Sequence, residues 1–179
     1  MAGPSHHTLP VPRFDKPVKL LIVVAPYYRD IADMLISGAQ AAAEACGATT
    51  EIVEVPGALE IGPAIALAER LSNFDGYVAL GCVIRGETTH YDTVCNDSSR
   101  ALTLLGLQGA CLGNGILTVE THEQAVVRAD PAQGDKGGGA ALAALHLIAI
   151  ARRWSDGRKG IGFRPGETIL IAGDGDARA

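Results

Sequence analysis

An unbroken apolar run followed at once by a polar turn is the sequence feature that most restricts the fold. Residues Tyr77–Ile84 read YVALGCVI, and the turn Arg85–Thr89 reads RGETT. A run of this length that ends at a glycine-containing turn is typical of a strand buried on both faces, as in a parallel sheet. Apolar residues between Tyr91 and Leu105 then recur at helical spacing, so the turn joins a strand to the start of a helix.

The turn after this strand lies where open α/β sheets bind their ligands, at the C-terminal ends of the strands. Free backbone N–H groups at a helix start favour an anion, and the imidazole of His90 stands beside them. A plainer interpretation is that Thr88 or Thr89 only caps the helix and that His90 is only a first-turn residue. The local pattern leaves both interpretations open.

Strands and helices alternate along the chain, which indicates a parallel sheet covered by helices on both faces. We predict strands at Val18–Ala25, Thr49–Val55, Tyr77–Ile84 and Ala110–Val119. We predict helices at Ile31–Cys46, Leu59–Leu71, Tyr91–Leu105, Thr121–Ala129 and Ala140–Trp154. The Gly113-Asn114-Gly115 segment predicts a bulge or a close backbone approach, and Gly134–Gly139 is predicted to be a connection.

Right-handed crossovers leave few arrangements of four such strands. The simplest is a flavodoxin-like, three-layer α-β-α sandwich with a parallel four-stranded sheet in the order 2-1-3-4. This order would gather three polar turns at one sheet edge, namely Pro26–Asp30, Pro56–Glu60 and Arg85–His90. We expect one domain over residues 17–154, between a flexible N-terminal arm (residues 1–16) and a C-terminal tail (residues 155–179). Disorder is favoured for that tail, although Thr168–Ala172 could add a short strand.

Composition and charge exclude several classes of function. A formal net charge of −5 argues against a nucleic-acid partner. No stretch is long and apolar enough to span a membrane, and the N-terminus lacks the apolar core of a signal peptide, so we expect a cytoplasmic protein. The four cysteines include no CxxC pair and are interpreted as small buried hydrophobes: Cys46, Cys82, Cys95 and Cys111. His90, His122 and His146 lack metal-ligand spacing, so we expect no metal site.

Four blocks of sequence resemble, in order and spacing, the lumazine synthase family of riboflavin biosynthesis. They are PGALEIGPA at Pro56–Ala64, GCVIRGETTHYDTVCN at Gly81–Asn96, GNGILTVETHEQAVVRA at Gly113–Ala129 and GDKGGGAA at Gly134–Ala141. The resemblance spans Val18 to Trp154, and its most specific part is VIRGETTH. None of the glycines fits a dinucleotide fingerprint or a P-loop, which counts against nucleotide binding.

The resemblance implies an enzyme that condenses 5-amino-6-ribitylamino-2,4(1H,3H)-pyrimidinedione with 3,4-dihydroxy-2-butanone 4-phosphate. The products would be 6,7-dimethyl-8-ribityllumazine, phosphate and water, formed without a metal or an organic cofactor in the penultimate step of the pathway. Proton transfers near neutral pH are needed, and His90 is the side chain best suited to them. The phosphate dianion would be held by N–H groups around Glu87 and Thr88 and by Arg128, which the resemblance pairs with His90 in catalysis.

Further roles follow from the resemblance residue by residue. Tyr27 matches an aromatic residue that stacks on the heterocycle. Glu60 matches a carboxylate that hydrogen-bonds the ribityl chain, with Ala58 and Leu59 beside it. In many family members phenylalanine stands at the position of Leu59, so aromatic packing around the substrate would be weaker here.

Other matched positions imply a shared site and a homo-oligomer. Val83 and Ile84 match the strand end that holds the pyrimidine ring. Asn114, Arg128 and Lys136 match positions that reach the site from the neighbouring subunit of a pentamer, although an aromatic often occupies the Asn114 position. Some family members assemble twelve pentamers into a shell. Here Asp130-Pro131 replaces the glycine-containing kink associated with such shells, which weighs against that assembly.

A non-catalytic scaffold of the same fold, which binds a flavin or a lumazine, is the alternative function. A relative that had lost turnover would be expected to lose at least one of His90, Arg128 and Glu60, or the VIRGET turn. All of them are present. A flavodoxin-like electron carrier is disfavoured as well, because Pro26–Asp30 lacks the Ser, Thr and Gly content of an FMN phosphate loop.

Overall fold

A four-stranded parallel sheet forms the middle layer of the fold. The computed structural model describes residues 9–156, in which the strands are β1 Val18–Val24, β2 Ala48–Glu54, β3 Gly76–Ile84 and β4 Leu112–Val119. The strand order is β2-β1-β3-β4, and all three pairings are parallel. The predicted order is therefore confirmed, and no strand end differs from its predicted position by more than two residues.

Helices cover both faces of the sheet, as predicted for a three-layer sandwich. They are α1 Arg29–Ala45, α2 Ala58–Leu71, α3 His90–Leu107, α4 His122–Ala129 and α5 Lys136–Asp156. Alternate residues of β1 enter the two apolar cores: Leu20 and Ile22 pack with α1, α4 and α5, whereas Leu21 and Val23 pack with α2 and α3. This alternation follows from the two-residue period of a strand.

The start of α5 corrects the sequence prediction. Residues 134–139 were expected to connect two helices, but α5 already begins at Lys136. Gly137 is buried, and a Cβ atom there would overlap the carbonyl oxygen of Leu35 in α1. The Asp135 carboxylate accepts a hydrogen bond from the N–H of Gly138 at 3.0 Å. Glycine is thus used here for close helix–helix contact, which outweighs its low helix propensity.

Gly113 shows which of the two predictions for the fourth strand is right. The register between β3 and β4 runs without interruption from the Tyr77–Leu112 pair to the Ile84–Val119 pair, so the strand has no bulge. A Cβ atom at Gly113 would overlap the carbonyl oxygen of Ala140. The glycine therefore permits a close approach of α5 to β4, as the second alternative predicted.

The described part of the N-terminal region lies against α5. Pro12 is buried, and the Arg152 guanidinium donates hydrogen bonds to the carbonyl oxygens of Lys16 and Pro17 at 2.9 and 2.8 Å. The domain boundaries given above stay a prediction, and Thr168–Ala172 lies outside the described residues. Within residues 9–156, no helix combines the length and the apolar character needed to cross a bilayer.

Candidate active site

A cleft of about 390 Å³ opens where the strand order switches between β1 and β3. It is lined by the turns Pro26–Asp30 and Pro56–Glu60, by the end of β3, and by His90 and Val94 of α3, where His90 is the last residue of the third predicted turn. The lining residues are Ala25, Tyr27, Tyr28, Pro56, Gly57, Ala58, Leu59, Glu60, Cys82, Val83, Ile84, His90 and Val94. The predicted gathering of these turns at one sheet edge is confirmed.

Seven of the predicted site residues meet in this cleft. They are Tyr27, Ala58, Leu59, Glu60, Val83, Ile84 and His90. Glu87 and Thr88 lie on the exposed turn between β3 and α3 and are not part of the lining. Asn114, Arg128 and Lys136 are not part of its lining: they lie on β4, in the last turn of α4 and at the start of α5. One chain therefore brings seven of the predicted site residues together in the cleft, and Glu87, Thr88 and this last group lie outside its lining.

Two adjacent tyrosines form one wall of the cleft. Tyr27 is 77% exposed, and its ring centroid lies 5.1 Å from that of Tyr28 at an interplanar angle of 72°. On its other side Tyr28 packs against the His122 ring, with 6.4 Å between the centroids. The edge-on contact holds Tyr27 while its ring stays accessible to a planar ligand.

Tyr28 is a cleft residue that sequence reasoning missed. Its position next to Tyr27, in the same strand-end turn, was the signal that could have identified it. Burial raises the pKa of the Tyr28 phenol, and the neighbouring Tyr27 and Cys82 add to the effect. The hydroxyl group therefore stays protonated near neutral pH and can donate a hydrogen bond.

Two charged contacts hold the Tyr27-Tyr28 turn in place. Arg29 at the start of α1 donates two hydrogen bonds to the Glu54 carboxylate at the end of β2, at 2.7 and 3.2 Å. These bonds lower the pKa of Glu54. On the opposite side, His122 Nε2 lies 2.8 Å from Asp30 Oδ2 and so connects α4 to α1. The first turn is thereby tied to the end of β2 and to the start of α4.

The start of α3 presents backbone donors at the rim of the cleft. Thr89 occupies the N-cap position, but its side chain caps no N–H group. Thr88 Oγ1 accepts only a long hydrogen bond, at 3.4 Å, from the N–H of His90. Among the described residues, no hydrogen-bond partner is found for the N–H groups of Glu87 and Thr88. Simple capping by threonine therefore does not account for this turn.

Cys82 lies in the cleft but is unsuited to nucleophilic chemistry. The residue is 9% exposed, and burial raises the pKa of its thiol to about 11, with a smaller contribution from Asp30. The thiolate is the reactive form of cysteine, so this side chain serves as an apolar part of the wall near neutral pH. Residues 9–156 contain no cluster of three or more His, Cys, Asp or Glu side chains suited to a metal ion.

The parallel sheet and the cleft at its switch point define a flavodoxin-like α/β protein that binds a small molecule. A family model described as 6,7-dimethyl-8-ribityllumazine synthase matches residues 17–152. The chain belongs to this family and is an enzyme of the lumazine synthase type.

Several curated relatives named as 6,7-dimethyl-8-ribityllumazine synthases are similar to the chain. The relative from Jannaschia sp. (strain CCS1) is 55% identical over 179 residues, which covers 100% of both chains. That from Novosphingobium aromaticivorans is 55% identical over 137 residues, 76% of this chain and 99% of the relative. A relative named 6,7-dimethyl-8-ribityllumazine synthase 1, from Rhizobium meliloti, is 55% identical over 144 residues, 77% of this chain and 94% of its own.

Proposed function

We propose that this chain condenses 5-amino-6-ribitylamino-2,4(1H,3H)-pyrimidinedione with 3,4-dihydroxy-2-butanone 4-phosphate to form 6,7-dimethyl-8-ribityllumazine. The observation that supports the proposal best is the lining of the cleft. Residues to which the family resemblance gives substrate roles come from three separate turns, and they border one cavity. No metal or organic cofactor is part of the proposed reaction.

The proposed pyrimidine site combines the exposed ring of Tyr27 with the polar edge of the cleft. The heterocycle stacks on Tyr27, and the end of β3 at Val83 and Ile84 borders its edge. Glu60 lies in the first turn of α2 and also lines the cleft, where its carboxylate can accept hydrogen bonds from the ribityl hydroxyl groups. Leu59 offers apolar contact but no second aromatic surface.

The proposed phosphate site lies at the start of α3. The N–H groups of Glu87 and Thr88 and the positive end of the helix dipole favour a dianion there. His90 is both the first residue of α3 and part of the cleft lining, which supports a role for its imidazole between the two proposed substrate positions. In this mechanism it transfers protons as the amine adds to the ketone and phosphate leaves.

Arg128 is proposed to complete the phosphate site from a neighbouring subunit, together with Asn114 and Lys136. Within one chain the Arg128 guanidinium donates a hydrogen bond to the carbonyl oxygen of Gln124 at 3.0 Å and does not line the cleft. We therefore infer a homo-oligomer, at least a pentamer. The location that we propose for it is the cytoplasm. Large side chains that remain exposed on α2 and α3 are available for subunit contact: Leu67, Leu71, Leu104 and Leu107, at 52, 76, 53 and 80% exposure.

The direct test is an assay of lumazine formation from the two substrates, followed by absorbance in the presence of a strong chelator. We expect steady turnover with no added cofactor, because the proposed acid, base and phosphate groups all belong to the protein. Stoichiometric binding of the lumazine without turnover would identify the non-catalytic scaffold instead. Activity that is lost on chelation and restored by one divalent ion would contradict the cofactor-free mechanism.

Mixing two variants of strongly reduced activity tests whether the site is shared. We expect His90→Ala and Arg128→Ala each to lose most activity, and we expect activity to return when they are unfolded together and reassembled. A mixed oligomer contains clefts that combine the intact His90 of one subunit with the intact Arg128 of its neighbour. Reassembly of either variant alone is the control. If mixed oligomers form but stay as inactive as the single variants, the two residues do not act across an interface.

A further inference from the structure

Arg85 joins the turn after β3 to two other elements. Its Nε atom lies 2.9 Å from Glu120 Oε2, in the connection between β4 and α4. Its two terminal nitrogens lie 3.4 Å from Asp92 Oδ1 in the first turn of α3. The guanidinium carbon also lies 4.0 Å from the ring centroid of Tyr91. One side chain at the start of the proposed phosphate-binding turn thus contacts both the helix that follows the turn and the connection between β4 and α4.

The turn itself has little other support. Residues 85–90 are all exposed, so no side chain in this segment is anchored in the core. The N–H of Arg85 donates to the carbonyl oxygen of Val119 at 3.0 Å, which fixes only the start of the turn. The end of the turn depends on backbone bonds to the carbonyl oxygen of Thr89. Besides the long hydrogen bond between Thr88 Oγ1 and the N–H of His90, the contacts of Arg85 are therefore the side-chain links found for this segment among the described residues.

Glu120 is a fixed anchor for Arg85. The N–H of Glu120 donates to Gln124 Oε1 at 3.0 Å, and the N–H of Gln124 donates to Thr121 Oγ1 at 3.3 Å. This reciprocal arrangement caps α4 and holds the backbone of Glu120, which precedes the N-cap residue Thr121. The hydrogen bond from Arg85 to Glu120 also raises the pKa of the guanidinium, so the link stays charged over the working pH range.

We propose that Arg85 is a positioning residue, which holds the turn Gly86–Thr89 and the imidazole of His90 at the rim of the cleft through its link to Glu120. The inference rests on the proposed function, since it assigns Arg85 to the same site. Direct phosphate binding by Arg85 is disfavoured, because two carboxylates and an aromatic ring already occupy its planar fork. Exposed ion pairs add little to global stability, so the effect of Arg85 is local.

The first test compares Arg85→Met with Lys19→Met as a matched control. Lys19 also forms an exposed ion pair, 3.2 Å from Glu51, and its ammonium lies 4.5 Å from the centroid of Phe74. It lies at the opposite end of the sheet from the cleft. Amide hydrogen exchange at Asp92 and Thr93, whose N–H groups donate to the carbonyl oxygen of Thr89, should become about tenfold faster in Arg85→Met and stay unchanged in Lys19→Met. Unchanged exchange in Arg85→Met would overturn the proposal.

Kinetics provide the second test. Misplaced catalytic groups cost up to about a hundredfold in rate, so we expect kcat of Arg85→Met to fall roughly tenfold to a hundredfold. Arg85→Lys should recover part of this loss, because it keeps the charge but loses the fork. Glu120→Gln should reproduce the defect, and the double variant Arg85→Met/Glu120→Gln should be no slower than the slower single variant.

Two outcomes separate this inference from its alternatives. If Arg85 were a direct phosphate ligand, Arg85→Met would weaken binding of inorganic phosphate. Glu120→Gln would then leave phosphate binding unchanged or strengthen it. That pair of results would show the proposal to be wrong. If the unaltered protein forms no lumazine, the proposed function fails. The exchange experiment would still show whether Arg85 holds the turn, because that measurement needs no substrate.

Discussion

His90→Ala should slow turnover by about 10²- to 10⁴-fold, the usual contribution of a positioned general acid or base. Measurable activity should remain, because holding two substrates in one cleft accelerates their reaction without an imidazole. Binding of inorganic phosphate should change little, since we assign it to the N–H groups of Glu87 and Thr88 and to Arg128. Steady-state kinetics over pH and phosphate titration of both proteins measure these effects.

The acid limb of the pH–rate profile provides the sharper measurement. An acid limb that depends on the His90 imidazole should vanish in His90→Ala and in the bulkier His90→Gln. His146→Ala is the matched control, because His146 lies in α5 and is not part of the cleft lining. A His90→Gln protein with the original rate and acid limb would remove His90 from the mechanism.

Gly137→Ala should destabilise the protein by about 1–3 kcal/mol, the usual cost of extra volume in a packed contact. The added methyl group meets the backbone of Leu35, which cannot rotate away as a side chain can. The matched control is Gly139→Ala in the same helix, where no described neighbour lies within 4 Å of the new Cβ. There we expect a gain of about 0.5–1 kcal/mol from helix propensity.

Urea unfolding at one fixed protein concentration measures the stability of both glycine variants, because the proposed oligomer would make apparent stability concentration-dependent. Opposite signs for the two substitutions are expected. If Gly137→Ala raised the free energy of unfolding as much as Gly139→Ala does, helix propensity, and not the contact between α5 and α1, would decide the stability at Gly137.

Much of the fold could be predicted because its signals are local. The buried run Tyr77–Ile84 and the turn at its end identified a central strand, and the crossover rule then limited the strand order. The lining of the cleft followed from that topology, since the C-terminal ends of neighbouring parallel strands meet at one edge. Arg85 Nε and Glu120 Oε2 lie 2.9 Å apart. The two residues could not be paired from sequence, because no periodic pattern links the turn after β3 to the connection between β4 and α4.

The start of α5 was mispredicted because helix propensity describes a residue only in isolation. Gly137 and Gly138 are poor helix formers, and only the finished contact with α1 makes a side chain at Gly137 unacceptable. The roles of Asn114, Arg128 and Lys136 stay predictions for a related reason. They depend on a neighbouring subunit, and neither the sequence pattern nor the structure of one chain contains that neighbour.

The contact between α1 and α5 also bears on how the chain folds during synthesis. It joins Leu35, near the N-terminus, to Gly137, near the end of the described residues. Because chains emerge from the ribosome with the N-terminus first, β1 and α1 are made long before the helix that covers them. One of the two apolar cores therefore stays open until α5 has emerged, and nascent chains must keep Leu20 and Ile22 from associating with other chains until then.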